Sequence, residues 1–460
     1  MARIAYYREL LKKDLWGRLA QLEDCLSPED ILAAAEGYDW RDRIWNPVLT
    51  FWTFLAQVLH PGSACREAVA VVLAEQAIKS ERRISPDASA YCQARRRVPL
   101  SVFTMALRKV GRCLQAKAKG QYLWHGRPVR LVDGSSCSMP DTPELQEAFG
   151  QPDGQKAGCG FPVARIVAMF CWATGAVLDV MIGAYRSSEL TLVRSLWDHL
   201  KRGDIVLADR FYCTYAILAE LLAHGCDAVF RLHGGRSRTM DFRKGRRLGC
   251  QDRLMRWQRP RVCPRGLSRD QWMLLPEYLT IRVIRFCPQV PGFRSRTILV
   301  ATTLLDPLAY PSEEMAALYG DRWTVELRLR DIKTTMQMDV LRSKSPDVVR
   351  KEILMHLIAY NLIRALMWQA AQKHGRPLHR LSFAGTVQRL NALAPYLWLY
   401  AGTGRSVVLY ALLLEWIARD KLPYRPGRID PRAVKRRPKE YDRLNKPRHQ
   451  LREALLRKTG

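Results

Sequence analysis

Four side chains able to grip a phosphate or a metal ion recur at helical spacing in Leu318–Met336, LYGDRWTVELRLRDIKTTM. With Arg322 at zero on a helical wheel, Glu326 falls about 40° away and Lys333 about 20°. Tyr319 lands about 60° to the same side, if the helix runs unbroken through Gly320 and Asp321. One reading is a solvated face with Arg322–Glu326 and Glu326–Arg330 ion pairs, each worth about a few tenths of a kcal/mol. The other is a phosphate-binding edge with a carboxylate for a cation. The stretch alone favours the first.

Two aspartates elsewhere shift that balance. Asp133 follows the β-rich run Pro128–Val132 (PVRLV), and Asp209 follows Asp204–Ala208 (DIVLA). Each is therefore expected at the carboxyl edge of a sheet strand, where ligand crevices of open α/β sheets lie. Asp133, Asp209 and Glu326 would make three convergent carboxylates. Such a set suits Mg²⁺ or Mn²⁺. Two such ions, about 3.5–4 Å apart, serve both the attacking and the leaving oxygen in phosphoryl transfer. Asp141, Asp153, Asp179, Asp204 and Glu189 read instead as turn, strand-end or helix-start residues.

The elements that must position these groups follow from the pattern. Up to about residue 120 the chain reads as helical, with starts at Ser27-Pro28-Glu29-Asp30, Asn46-Pro47 and Ser85-Pro86-Asp87. Strands follow at Pro128–Val132, Ala164–Trp172, Ala176–Ala184, Asp204–Ala208 and Asp227–Leu232, with helices at Ser188–Leu200 and Tyr212–His224. The β-β-β-α-β-α-β order predicts a mixed sheet covered by helices. A basic, β-rich insertion is expected from His233 to about Arg296, containing a strand at Leu279–Phe286, with Thr297–Thr303 as its return. Ser312-Glu313-Glu314 should cap the helix leading into the stripe. Ser345-Pro346-Asp347 opens a long helix to about His374. From Lys421 the Pro-, Lys- and Arg-rich chain reads as a disordered basic tail. The expected division is 1–120, a helical domain that either binds DNA or serves packing; 121–232, the first part of an α/β core; 233–296, the insertion; 297–375, the second part of the core; and 376–460, helices and tail.

Composition points the same way. The 460 residues carry 74 basic and 44 acidic side chains, a net charge of +30, so a polyanionic partner such as nucleic acid is implied. The twelve cysteines include no C-x-x-C, so no zinc finger and no disulfide framework is expected, and most should be buried thiols in a reducing compartment. The start, MARIAYYRELLKKDLW, has no apolar signal core, and no apolar run is long enough to span a bilayer. The expected location is the cytoplasm of a bacterium, in association with the nucleoid.

The residues from Tyr319 to Lys333 match Y-(2)-R-(3)-E-(6)-K at every position. On that signature the chain resembles the DDE transposases of the insertion sequence four family. VDGSS around Asp133, LADRFY around Asp209, YNLIR at Tyr360–Arg364 and the ending IDPRAVKRRPKEY are similar too. The resemblance covers roughly residues 120 to 440. It implies an RNase H-like fold with a β-rich insertion between the second aspartate and the glutamate. It also implies that Asp133, Asp209 and Glu326 hold the metals, Mg²⁺ or Mn²⁺. Arg322 and Lys333 would grip phosphates near the scissile bond, and Tyr319 would hydrogen-bond a phosphate oxygen. Trp323, at the edge of the stripe, is a core residue or a stacking platform for a displaced base. Arg210 and Arg330 are further DNA-binding candidates.

The activity implied is cut-and-paste transposition by a dimer on double-stranded DNA. The enzyme would bind the terminal inverted repeats of its element and cut one strand at each end. The freed 3′-hydroxyl would attack target DNA, or first the opposite strand to form a hairpin. The alternatives are a nuclease on the same fold and a catalytically silent DNA-binding protein.

Overall fold

The computed structural model describes residues 25–38, 44–60, 62, 64–79, 85–287, 297–423 and 444–459. In chain order the helical start comprises α1 (Pro28–Ala34), α2 (Pro47–Leu59), α3 (Cys65–Lys79), α4 (Ser89–Arg97) and α5 (Leu100–Lys117). There follow β1 (Val129–Ser138), α6 (Pro143–Phe149), β2 (Val163–Cys171), β3 (Val177–Ala184), α7 (Glu189–Arg194), β4 (Ile205–Ala208), α8 (Tyr215–Ala223) and β5 (Asp227–Arg231). The insertion contributes α9 (Gly234–Thr239), β6 (Arg246–Gly249), β7 (Asp252–Gln258), α10 (Arg269–Leu274) and β8 (Tyr278–Phe286), and the chain returns as β9 (Ile298–Thr302). The rest is helical: α11 (Ser312–Asp321), α12 (Trp323–Arg330), α13 (Pro346–Lys373), α14 (Phe383–Leu399), α15 (Gly404–Arg419) and α16 (Arg448–Thr459).

These elements form two compact units. One comprises residues 1–122, 170–179 and 327–422, and the other residues 123–169, 180–326 and 423–460.

The first unit is built around α13, whose residues from Val348 to Trp368 are almost all buried. Its buried polar groups have a specific task. Tyr360 Oη donates to Gly175 O at 2.9 Å, and the Asn361 amide bonds both the N–H and the C=O of Val177, each at 2.8 Å. Arg364 donates to Thr174 O from Nε at 2.9 Å and from Nη2 at 2.6 Å. The YNLIR segment thus satisfies the backbone of the β2–β3 turn, which cannot be left unpaired in a core. Gly175, at φ 76°, has the Arg364 guanidinium where a side chain would go. Ser27 and Asn46 cap α1 and α2 as their sequence predicts. Helix α4 starts later than predicted. Asp87 accepts from the N–H and hydroxyl of Ser89, and this local turn displaces the helix start to Ser89. Cys25 and Cys113 are joined in a disulfide, with Cα atoms 5.4 Å apart, and ten cysteines remain free thiols.

The second unit carries most of a nine-stranded sheet in the order β3-β2-β1-β4-β5-β9-β8-β7-β6. Strands β1, β4 and β5 are parallel, and β9, β8, β7 and β6 continue antiparallel from β5. The insertion therefore extends the sheet instead of forming a separate one. Its return strand β9 lies beside β5 at Val229↔Thr302 to Arg231↔Val300. Two buried ion pairs tie the strands down. Arg130 donates to Asp204 at 2.9 and 3.1 Å, and Arg282 to Asp252 at 2.6–3.0 Å. Helix α6, capped by Thr142, falls between β1 and β2, where no helix is predicted. The α7 helix stops at Arg194, short of the predicted Leu200.

Two further expectations need correction. The helix predicted through the stripe is interrupted. Helix α11 ends at Asp321, α12 begins at Trp323, and Asp331–Thr335 widens into a π turn. The basic ending is not wholly without structure. Residues 424–443 lie outside the described residues, but α16 is a regular helix.

Candidate active site

The site grows from the parallel strands. In β1 and β4, Leu131 pairs with Leu207. Asp133 and Asp209 stand two positions further along each strand. Asp133 shares the face of Leu131 in β1, and the Asp209 charge acts on its carboxyl. Asp209 begins the turn after β4, where its Oδ1 accepts the Phe211 N–H at 2.7 Å. Asp133 differs from its prediction, because β1 continues through it to Ser138. It lies within a strand that extends beyond its partner's end, and its Oδ1 accepts the Gly134 N–H at 2.9 Å.

Electrostatics connect this pair to α12. Burial pushes the Asp133 carboxyl up to about 7, and the charges of Asp209 and Glu326 push the same way. The Gly134 N–H and Arg322 oppose the rise. Burial alone would lower the pKa of Arg322. The charges of Tyr319, Glu326 and Asp133 outweigh it and raise it. Arg322 Nη2 bonds Glu326 Oε1 at 2.8 Å, one turn along the helix. The Arg322 guanidinium also stands 5.9 Å from the centre of the Tyr319 ring. Burial raises the Tyr319 hydroxyl as well, against the charges of Arg322 and Arg231. Its ring meets Phe286 of the insertion edge-on at 6.4 Å.

Asp133, Asp209, Glu326, Arg322 and Tyr319 therefore act on one another although the predicted helix is broken. The break comes at Arg322 itself, so the Tyr319–Arg322 contact is made across a helix junction and not along a wheel. Arg210 is exposed beside Asp209. Trp323 is 44% exposed, which excludes the core alternative for it. Arg330 is exposed, and Lys333 lies half-buried in the π turn; both belong to the first unit.

Of the acids read as structural, four are so engaged. Asp141 is bonded by Gln146, Asp153 by Arg186, Asp179 by Arg108 and Asp204 by Arg130. The fifth, Glu189, is not a simple helix-start residue. Its carboxylate lies against Gly134 and takes bonds from Arg165 Nη1 at 3.2 Å and Tyr212 Oη at 3.4 Å. Arg231 is a second residue outside the predicted set. It follows Phe230, which pairs with Ala208, so it stands beside Asp209 in the row. The strand-end rule that selects Asp209 also applies to Arg231 at the end of DAVFR. No sequence signal marks Glu189.

Does this donor set suit a divalent cation? Among the described residues, no three His, Cys, Asp or Glu side chains are gathered into a finished coordination cluster. The chemistry fits all the same. The donors are carboxylate oxygens, as hard cations require. A buried Asp133 held near 7 by desolvation and by two like charges marks a place short of positive charge.

The transposase DDE domain model matches residues 124–362, more than half of the chain. The chain belongs to the DDE transposases. It is 28% identical over 366 residues to "Transposase InsG for insertion sequence element IS4" of Escherichia coli K12, covering 77% of each. It is 30% identical over 143 residues to InsZ of the same organism, 30% of this chain and 47% of that one. The cryo-EM structure of the piggyBac transposase synaptic complex with hairpin DNA aligns over 88% of this chain and 86% of its own. That alignment has a TM-score of 0.48 and 10% identity. As a DDE transposase of the insertion sequence four family, the chain is an enzyme that cuts DNA and transfers strands. No helix among the described residues is long and apolar enough to cross a membrane.

Proposed function

We propose that Asp133, Asp209 and Glu326 form the catalytic centre with which this transposase cuts the terminal inverted repeats of its own element. The observation that carries the reading is the raised carboxyl of Asp133, on which the charges of Asp209 and Glu326 both act, with Asp133 and Asp209 each two residues past the paired Leu131 and Leu207. Bound Mg²⁺ or Mn²⁺, two ions in this proposal, would supply Lewis-acid stabilisation to the attacking and leaving oxygens of a phosphodiester. The three carboxylates would hold the ions. Arg322, already within reach of Glu326, would turn from that ion pair to a phosphate oxygen when DNA arrives. Tyr319 would donate to the same backbone, and Lys333, Arg210 and Arg330 would add charge along it. Trp323, exposed at the start of α12, would stack on a displaced base.

An RNase H-like core is supported by the order β3-β2-β1-β4-β5 and the parallel β1, β4 and β5. Residues 1–120 are assigned to binding the ends, 121–232 and 297–375 to the core, 233–296 to the insertion and 376–460 to helices and tail. Two ends must be held together for strand transfer, so the working form is a homodimer on DNA, in association with the bacterial nucleoid. Target attack follows directly or through a hairpin.

The test uses purified protein, labelled end-bearing DNA and Mg²⁺. Asp133→Ala, Asp209→Ala and Glu326→Ala should each stop cutting while end binding persists. Joined products distinguish the transposase from a nuclease. Wild type that binds ends yet never cuts, in either Mg²⁺ or Mn²⁺, would overturn the assignment.

A further inference from the structure

Among the described residues, Glu189 is a carboxylate near the pair that the proposed mechanism leaves unused. A methyl group placed on Gly134 would lie 2.6 Å from Glu189 Cδ, so the carboxyl group occupies the space of the missing side chain. It is held there from two sides. Arg165 on β2 donates to Oε1 at 3.2 Å, and the Tyr212 hydroxyl donates to Oε2 at 3.4 Å. Arg165 is itself set over the Tyr185 ring, 5.6 Å from its centre. Tyr212 is 2% exposed and stands three residues after Asp209, one residue past the Phe211 N–H that Asp209 accepts.

Both aspartates are thus linked to one side chain. The Asp133 carboxylate is oriented by the Gly134 N–H, and the Glu189 carboxylate fills the space where a Gly134 side chain would lie. The Asp209 turn continues into Tyr212, which bonds Glu189. We infer that Glu189 is a positioning residue that sets the spacing of Asp133 and Asp209, by wedging Gly134 from a seat fixed by Arg165 and Tyr212. The inference rests on the reading of Asp133 and Asp209 as ligands of the catalytic centre. It also explains the glycine of VDGSS, because any side chain at 134 would displace the wedge.

The experiment measures Mn²⁺ binding to DNA-free protein by the loss of the free-ion electron paramagnetic resonance signal, alongside end binding, cutting and thermal unfolding. Partners that orient a metal ligand are worth about 10–100-fold in metal affinity. Glu189→Ala should weaken Mn²⁺ binding by about that factor and leave end binding intact. Glu189→Gln, which keeps one acceptor oxygen for Arg165 or Tyr212, should recover part of the loss. Gly134→Ala should weaken Mn²⁺ binding and cutting, and the shorter Glu189→Asp should restore part of both in the double variant. Wild-type Mn²⁺ affinity in Glu189→Ala and Glu189→Gln would overturn the inference. So would an equal penalty for Gly134→Ala in the wild-type and Glu189→Asp backgrounds. If Glu189→Ala does not fold, Glu189→Gln and the Gly134 pair decide alone. Asp209→Ala separates the two levels. Dead Asp209→Ala beside wild-type-like Glu189→Ala sinks only the wedge, whereas active Asp209→Ala sinks the catalytic reading beneath it.

Discussion

Asp133 and Asp209 each come two residues after the paired Leu131 and Leu207 of parallel strands, and the Asp209 charge acts on the Asp133 carboxyl. The apolar pairs beneath them fix that relationship, since slipping one strand by a residue would turn its carboxylate to the other face. Leu131 and Leu207 are fully buried, so a slip would also repack the interior around the slipped strand. The core of the sheet thereby sets the separation of two like charges. Folding makes ionised Asp133 costly, chiefly by burying it and further by the nearby charges of Asp209 and Glu326, and its carboxyl is raised accordingly.

That cost has a sign in pH. The Asp133 carboxyl rises from an ordinary 3.8 to about 7 in the fold. Between those values the folded chain binds more protons than the unfolded chain, so stability falls as pH rises and levels off above about 7. Divalent cations bind the ionised form and compete with that proton. Mg²⁺ should therefore raise the melting temperature of DNA-free protein more at pH 8 than at pH 5.5. Asp133→Asn should flatten the difference. Equal Mg²⁺ shifts at both pH values in wild type would show that Asp133 does not take part in cation binding.

Asp331 offers a separate titration in the first unit. Burial pushes its carboxyl up to about 6, against the charges of Arg330, Arg364 and Arg328. Here too the ionised form is the disfavoured one, so the penalty grows from pH 4 to pH 6 and is complete above it. Asp331→Asn removes the penalty and should stabilise the protein by about 3 kcal/mol at pH 7.5. The gain should vanish near pH 4. Chemical denaturation at both pH values checks it, and a loss of stability at pH 7.5 would mean that the three arginines need the charge.

Much of this was legible in the sequence because local chemistry decided it. The caps at Ser27 and Asn46, the long α13 and the strands carrying Asp133 and Asp209 follow from residue types at fixed offsets. The Arg322–Glu326 pair was legible too, since four residues on one helix suffice to place it. What escaped depends on partners distant in the chain. The sequence leaves open the break of α12 from α11 at Arg322, at the Gly320-Asp321 pair just before it. Glu189 faces Gly134 only because α7 folds back beside β1, which no spacing within SSEL encodes. The Cys25–Cys113 pairing joins residues 88 apart and has no motif.

Asn361 tests what holds the β2–β3 turn. Its amide satisfies both backbone groups of Val177, which is fully buried. Asn361→Ala would leave a donor and an acceptor unpaired inside the protein, each costing about 1–3 kcal/mol. A destabilisation of about 2–5 kcal/mol is expected in chemical denaturation. A loss below about 1 kcal/mol would mean that water or another side chain replaces the amide.

Trp323 gives the clearest separation of binding from folding. Its ring is 44% exposed at the start of α12, directly after Arg322. An exposed aromatic supplies little to the core, so Trp323→Ala should leave the melting temperature almost unchanged. Stacking on a base is worth about 1–3 kcal/mol. If a displaced base rests there, Trp323→Ala should weaken the complex with a cleaved or mismatched end by about 5–150-fold. Affinity for an intact duplex end should change far less, because its bases remain stacked on one another. Trp323→Phe, which keeps an aromatic face, should recover part of the loss. Fluorescence of 2-aminopurine at the end's last positions reports the extruded base directly. The same brightening in wild type and Trp323→Ala would place the base elsewhere and return Trp323 to the solvated face.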